Sequence, residues 1–185
     1  MATLHELYQR YAADVYRFSF WISGNATEAE DLTSETFVRA FNGADGLRAE
    51  TVKAYLFTIA RNLFLQRKRH AKRQTAPGAG WGALRDRSPG PEARAQVADE
   101  VRVVLRALQE LAEPDRAALL LRAKHGLSYE EISRALGMSL SAVKVRVHRA
   151  RVKLASIHHD LEDSHERDTR SDDRPAPAVF RGRSQ

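Results

Sequence analysis

The chain has 185 residues, room for one or two small domains, and no cysteine, which excludes disulfides, thiolate nucleophiles and cysteine-based zinc sites. Its net charge is +6, from 30 basic and 24 acidic residues, so the positive excess must be clustered to attract a polyanionic partner. No apolar run is long enough for membrane insertion, and the N-terminus lacks the pattern of a signal peptide, so we expect a cytoplasmic protein.

The N-terminal part of the chain predicts two helices. The first begins at a capping box formed by Thr3 and Glu6 and carries an apolar stripe as far as Ile22. After a Ser-Gly-Asn break, the spacing of Thr27 and Glu30 predicts that a second helix restarts and runs to about residue 41.

An acidic ridge lies along one face of the second helix, because Glu28, Asp31 and Glu35 are three and four residues apart. Such a ridge is either a solvated face or a docking surface for a basic partner. A catalytic carboxylate pair is excluded, because general acid and base groups need a concave site.

A loop at residues 42–50 precedes a third predicted helix at 51–73, whose C-terminal half is strongly basic and which contains no acidic residue. Cations near Tyr55, Phe57 and Phe64 are suited to single-stranded nucleic acid, with charge for the backbone and rings for unstacked bases. The alternative is that these aromatic residues belong to the hydrophobic core.

Residues 74–94 are rich in glycine, proline and arginine and are predicted to form a flexible linker. Helices resume at 95–157, and Pro114 lies where the first turn of a helix tolerates a missing amide. Residues 158–185 contain seven acids, five arginines and few large apolar side chains, so we expect a disordered tail.

Two short helices joined by a tight turn end this second predicted domain. Ser128 and Glu131 form a capping box, Gly137 supplies a left-handed turn residue, and Ser139 caps the next helix. The inward face of that helix is apolar, and its outer face and flanks are cationic, with no acid between residues 137 and 159. This pattern favours a helix-turn-helix that enters the major groove of DNA, although a solvated basic face on a helical hairpin remains an alternative.

Two helical domains that end in a helix-turn-helix resemble a bacterial RNA polymerase sigma factor of the extracytoplasmic-function group. AEDLTSETFVRAF (29–41) is similar to the family's region 2.2, AYLFTIARNLF (54–64) to regions 2.3 and 2.4, and the 126–154 segment to region 4.2. The resemblance implies an all-α fold of two small helical domains, with region 2 in residues 1–73 and region 4 in residues 95–157.

The resemblance also implies roles for individual residues. The second helix would bind the clamp helices of the polymerase beta-prime subunit through Glu28, Asp31, Glu35 and Arg39. Melted minus-10 DNA would be held by Asn42, Arg61, Asn62, Arg67, Lys68 and Arg69. Duplex minus-35 DNA would be bound by Ser139, Ser141, Lys144, Val145, Arg146, His148, Arg149, Arg151 and Lys153. Region 4 would also contact the polymerase beta flap, and an anti-sigma factor is a further expected partner.

Three positions depart from the family pattern. Ala142 and Val145 stand where many relatives have threonine and serine, so promoter specificity is expected to differ, and Val145 could contact a thymine methyl group. Gln66 replaces a commonly acidic residue in the basic helix, which favours nucleic-acid binding.

Two other functions are alternatives to a sigma factor. A stand-alone helix-turn-helix regulator would need a ligand cavity or a dimerisation face in its N-terminal domain. An RNA-handling enzyme would need carboxylates suited to Mg²⁺. The sequence shows no nucleophile, metal-ligand cluster or phosphate loop, so we predict no catalytic residue, metal or cofactor.

Overall fold

The computed structural model describes residues 4–43, 52–74 and 93–171, with side chains described for 5–43, 52–73 and 101–157. These residues form seven helices and no strand, which confirms the all-α prediction. The helices are α1 (Leu4–Ser23), α2 (Ala26–Asn42), α3 (Val52–Gln74), α4 (Ala93–Gln109), α5 (Glu113–Ala123), α6 (Tyr129–Leu136) and α7 (Leu140–Ser171). Most of the predicted linker and Thr3 lie outside the described residues.

Helices α1, α2 and α3 pack as an N-terminal bundle because each has one apolar face. The α2 face is buried as the sequence predicted, at Ala29, Leu32, Thr33, Thr36, Phe37 and Ala40. The cap of α2 was predicted wrongly. Asn25, not Thr27, accepts a hydrogen bond from the Glu28 amide at 2.9 Å, because the extended Asn25, two residues before Thr27, occupies the N-cap position of the first turn.

The C-terminal helices form the predicted helix-turn-helix. Ser128 and Glu131 make a reciprocal capping box, which also lowers the pKa of the Glu131 carboxyl through the hydrogen bond from the Ser128 amide. The Oγ of Ser139 accepts from the Ala142 amide at 3.2 Å and caps α7. Val143, Val147 and Ala150 are buried on the inner face of α7, as predicted.

Gly137 ends α6 with φ = +63°, and no atom lies within 4 Å of the position that a Cβ would occupy. Gly137→Ala is therefore expected to destabilise the protein by about 1 kcal/mol, because the alanine has room but not the preferred backbone angle. Urea unfolding measures the change, and Gly137→Asn, which tolerates the left-handed region better, is the control. An alanine variant as stable as the parent would contradict this assignment.

Helix α7 continues well past the predicted end of ordered structure. We expected disorder from residue 158, but the backbone is helical through Ser171. Adding turns to an existing helix needs no new nucleation, and neither glycine nor proline occurs between Leu140 and Pro175. The lack of large apolar residues predicted disorder, but it does not prevent a helix that has already formed from extending.

The two groups of helices share one continuous core, in which α1 and α3 pack against α5 and α6. The sequence did not predict this contact. A buried arginine holds one edge of it: Arg116 donates to Gln109 Oε1 at 2.6 Å, and Gln109 Nε2 donates to the Trp21 carbonyl at 3.1 Å. Burial lowers the pKa of the Arg116 guanidinium. Gly24 leaves space for Gln109, because a Cβ there would lie 3.1 Å from its Nε2.

Candidate nucleic-acid interface

The outer face of α7 is an exposed cationic surface, which we call the α7 face. It comprises Ser139, Ser141, Lys144, Val145, His148, Arg149, Arg151 and Lys153. Val145 is 54% exposed, which leaves its methyl groups accessible for an apolar contact with a thymine methyl group. His148, Arg149 and Arg151 make no hydrogen bond or ion pair with any other residue that the structure describes.

Five residues of the predicted minus-35 set already contact protein. Ser139 caps α7 and shares a hydrogen bond with the Ser141 hydroxyl at 3.1 Å, and Lys144 Nζ lies 5.9 Å from the centre of the Tyr129 ring. Arg146 Nη1 donates to Asp115 Oδ1 at 2.8 Å, and Lys153 Nζ donates to the Glu110 carbonyl at 2.7 Å. Arg146 and Lys153 therefore fasten the recognition helix to the α4–α5 region, while Arg149 and His148 remain available to a ligand.

The Arg146–Asp115 pair was not foreseen, because its members are 31 residues apart. Asp115 is only 5% exposed, in the first turn of α5, and Arg146 is partly buried. Burial of a carboxylate is tolerated when a cation and a helix N-terminus both stabilise its charge. The pair therefore helps to fix the orientation of α7 relative to α5.

The basic half of α3 is the second candidate surface. Asn42, Asn62, Lys68 and Arg69 are exposed, and the ammonium of Lys68 lies 5.2 Å from the centre of the Phe64 ring. Leu65, Lys68, Arg69, Ala71 and Lys72 line an open groove of about 600 Å³ here. Its lining combines two apolar side chains with three cationic ones, a composition that suits a nucleic-acid strand.

The predicted base-stacking role of the α3 aromatic residues is wrong for two of the three. Phe57 and Phe64 are each 1% exposed and belong to the core, and Tyr55 is partly buried against it. Helical spacing placed them on the inward side, where burial of an aromatic ring is favourable by a few kcal/mol, roughly 3. The alternative that they are core residues is correct.

Arg61 and Arg67, both predicted minus-10 residues, are engaged within the protein. Arg61 forms two hydrogen bonds with Glu113, and Arg67 donates to Glu35 Oε2 at 2.9 Å. The resemblance assigned Arg67 and Glu35 to different sites, but the packing of α2 on α3 brings them together. No pattern in the sequence joins residues so far apart.

The acidic ridge on α2 is graded in exposure. The Asp31 side chain is 65% exposed, whereas Glu35 is 36% exposed and accepts from Arg39 as well as Arg67. Burial raises the pKa of the Glu35 carboxyl, but these hydrogen bonds outweigh burial and leave it below its usual value. The pKa of Glu28 is raised, because burial outweighs its attraction to Arg67 and Lys68. Asp31 is therefore the ridge's most available charge.

His125 marks the junction between the two groups of helices. Its ring lies 4.5 Å from Phe57 and 5.9 Å from Phe18, centre to centre, and neither ring nitrogen has a partner among the described residues. Burial lowers its pKa to about 4, against an opposing attraction to Asp14. The neutral imidazole serves as an apolar packing group at neutral pH.

Comparisons with known proteins identify the family of the chain. Residues 7–74 match the family model of sigma-70 region 2, and residues 102–154 match that of sigma-70 region 4. The chain belongs to the RNA polymerase sigma factors.

Relatives place it within that family. It is 37% identical to the ECF RNA polymerase sigma factor SigE of Mycolicibacterium smegmatis, over 83% of this chain and 61% of that protein. It is also 37% identical to the ECF sigma factor EcfG of Rhodopseudomonas palustris, over 76% of each chain. The group is therefore the extracytoplasmic-function group, as the resemblance predicted, and the interpretation as a stand-alone regulator is not favoured.

A solved structure shares the fold. The sigma factor RpoE of Bartonella quintana, determined in complex with the anti-sigma factor NepR, superposes with a TM-score of 0.65 at 27% identity. The similarity covers 82% of this chain and 94% of that chain. None of the described helices is long and apolar enough to span a membrane.

Proposed function

We propose that this sigma factor grips a promoter at two places, reading minus-35 duplex with the α7 face and holding the melted minus-10 strand with α3. The observation that carries the proposal is the α7 face itself. It presents Arg149 and His148, which have no partner among the described residues, beside an exposed Val145, on a helix that Arg146 and Lys153 bind to the α4–α5 region. The cations of the α7 face would attract DNA phosphates, and Val145, His148 and Arg149 would reach base edges in the major groove.

The groove on α3 supports the second contact. Asn62 and Arg69 are exposed along its helix, and Asn42 is exposed at the end of α2. Bases can contact the protein only after they unstack from the duplex. The binding energy of these contacts therefore favours the melted strand, and no covalent step is needed to capture it. Residues 75–92, between α3 and α4, allow the two contacts to separate by up to about 60 Å of extended chain.

We further propose the following assignments, which rest on the family. The acidic ridge on α2 docks on the clamp helices of the polymerase beta-prime subunit, and region 4 contacts the beta flap. An anti-sigma factor regulates the protein, which is supported by the similarity to a sigma factor bound to NepR. The protein acts in the cytoplasm, where polymerase and promoter DNA are found, and performs no covalent chemistry itself.

Start-site selection tests the proposal directly. Purified chain is mixed with core polymerase and genomic DNA, and the 5′ ends of the transcripts are sequenced. We expect starts downstream of a shared pair of elements. Random starts, indistinguishable from those of core polymerase alone, would reject the proposed function.

Arg149→Ala tests the minus-35 contact. We expect the free energy of promoter binding to become less favourable by about 1 to 3 kcal/mol, with relaxed preference at one base position. The reason is that Arg149 is exposed and has no competing partner among the described residues. Transcription from a promoter library measures both effects. Lys124→Ala, which removes an exposed cation of region 4 away from α7, is the matched control. Unchanged base preference would exclude the role.

A further inference from the structure

Two pairs of cations flank the recognition helix α7, and the structure uses the two flanks differently. At about 100° per residue, Arg146 and Lys153 lie on one flank of the helix, because they are seven residues apart, and Lys144 and Arg151 lie on the opposite flank for the same reason. Hydrogen bonds tie both cations of the first pair to the protein, so we call that side the tied flank. Nothing in the sequence distinguishes the two pairs.

The tied flank binds both sides of the connection between α4 and α5. Arg146 Nη1 donates to Asp115 Oδ1 at 2.8 Å, and Asp115 belongs to the first turn of α5. Lys153 Nζ donates at 2.7 Å to the carbonyl of Glu110, which follows the last residue of α4. The carbonyl end of one helix and an acidic residue at the start of the next therefore both attract cations of α7.

Asp115 holds Arg146 strongly because the carboxylate is buried. The Arg146 guanidinium is packed inward as well, since its Nε is buried. If Arg146 turned toward a DNA phosphate, the buried carboxylate would lose its cation, which is strongly unfavourable. A single phosphate contact at an exposed site is weakened by salt and contributes less. The balance favours a lasting bond between Arg146 and Asp115.

This bond bears on recognition because it resists rotation of α7 about its own axis. Side chains such as Val145, His148 and Arg149 extend about 6 Å from that axis, so a rotation of about 10° moves their ends by about 1 Å. Hydrogen bonds to base edges need positions within about 0.5 Å. Apolar packing of the inner face has no preferred direction, whereas a charged hydrogen bond on a flank has one.

We propose that Asp115 is a positioning residue for the minus-35 contact: it fixes the rotation of α7 through Arg146 and withholds Arg146 from DNA phosphates. The inference deepens the proposed function and rests on the proposed minus-35 role of the α7 face. It also divides the cations that the resemblance assigned to duplex DNA. Arg146 acts through the protein, while Arg149 and Arg151 act on the DNA.

Salt dependence tests the withholding of Arg146, because each phosphate contact steepens the fall of log K with log salt by about 0.9. The full chain is titrated with a labelled mixed-sequence duplex at several concentrations of KCl. We expect Asp115→Asn to steepen the slope by about 0.9, because Arg146 becomes available to a phosphate. Arg151→Met, on the opposite flank, should make the slope shallower by about 0.9.

Two further variants separate this effect from folding and from net charge. Arg146→Met alone would leave Asp115 buried without a cation, so it is combined with Asp115→Asn, and this double variant should show the parent slope. Glu30→Gln removes an exposed acid from α2 and should also leave the slope unchanged. A shallower slope for the double variant would mean that Arg146 already contacts phosphate in the parent, which overturns the proposal. A parent slope for Asp115→Asn alone overturns it as well.

Base preference tests the positioning. The protein is combined with core polymerase and a promoter library, and we expect Asp115→Asn to reduce discrimination about tenfold at several base positions together, because rotation displaces the whole α7 face. Arg149→Ala should affect one position. Arg146→Lys keeps a cation and a donor opposite Asp115, so it should retain most of the parent preference. If Asp115→Asn lowers transcription uniformly and leaves the preference unchanged, Asp115 only stabilises the fold and the positioning role is excluded.

Failure of this inference and failure of the proposed function give different results. If the parent protein shows no base preference with core polymerase, the minus-35 role of the α7 face is wrong, while the salt slopes still report whether Asp115 withholds Arg146. If the parent shows a preference that Asp115→Asn retains, the proposed function stands and Asp115 is not a positioning residue.

Discussion

Reversing the charge of Asp31 and Glu35 together, as Asp31→Lys with Glu35→Lys, is expected to abolish retention of core RNA polymerase. The proposed docking surface would then present lysines to a basic partner, and like charges at an interface cost several kcal/mol. Asp31 is the more exposed of the two, at 65%, so it should account for most of the loss. Pull-down of core polymerase by the tagged sigma factor measures the effect.

The fold should survive this change. Glu35 loses its contacts with Arg39 and Arg67, but these are partly exposed ion pairs, each worth about 1 kcal/mol or less. Glu30→Lys with Glu110→Lys alters net charge equally at exposed sites outside the ridge and is the matched control. Normal pull-down by the Asp31 and Glu35 variant would show that the ridge is only a solvated face.

Phe18→Ala is expected to destabilise the protein by about 3 to 5 kcal/mol, the usual effect of emptying a buried aromatic site. Phe18 is fully buried, and its ring packs against Phe57 at 5.1 Å and His125 at 5.9 Å. The cavity would therefore weaken the N-terminal bundle and the junction with region 4 together. Urea denaturation followed by circular dichroism gives the free energy of unfolding.

Phe20→Ala is the control for this prediction. Phe20 is two residues away on the same helix, but it is only partly buried and contacts Tyr16 and Trp21. We expect a clearly smaller loss of stability. Equal losses for the two variants would contradict the central position assigned to Phe18.

Local features of the fold were predictable from sequence because their physics acts within a few residues. The capping box at Ser128, the left-handed turn at Gly137 and the apolar stripe of α7 are all set by neighbours along the chain. The cationic α7 face follows from the same periodicity. Residues 126–154 therefore gave both the helix-turn-helix and most of the candidate site.

Contacts between distant residues were not predictable in this way. Arg61 and Glu113 are 52 residues apart, and neither helical periodicity nor charge pattern indicates that one faces the other. The same holds for Arg146 with Asp115. The aromatic residues of α3 were ambiguous for a different reason, since a ring suits both a core and a stacked base. Only the burial of the ring distinguishes a core residue from a base-stacking residue. That burial depends on which other helices pack against α3.

The bonds from Arg116 through Gln109 to Trp21 have a direction that limits which side chain can stand at position 109. The amide oxygen is bound to a guanidinium and the amide nitrogen to a carbonyl oxygen, so the group must accept at one end and donate at the other. A carboxylate would satisfy Arg116 but would place oxygen against oxygen at Trp21. An ammonium would satisfy Trp21 and repel Arg116. Of these three side-chain groups, only the amide satisfies both Arg116 and the Trp21 carbonyl.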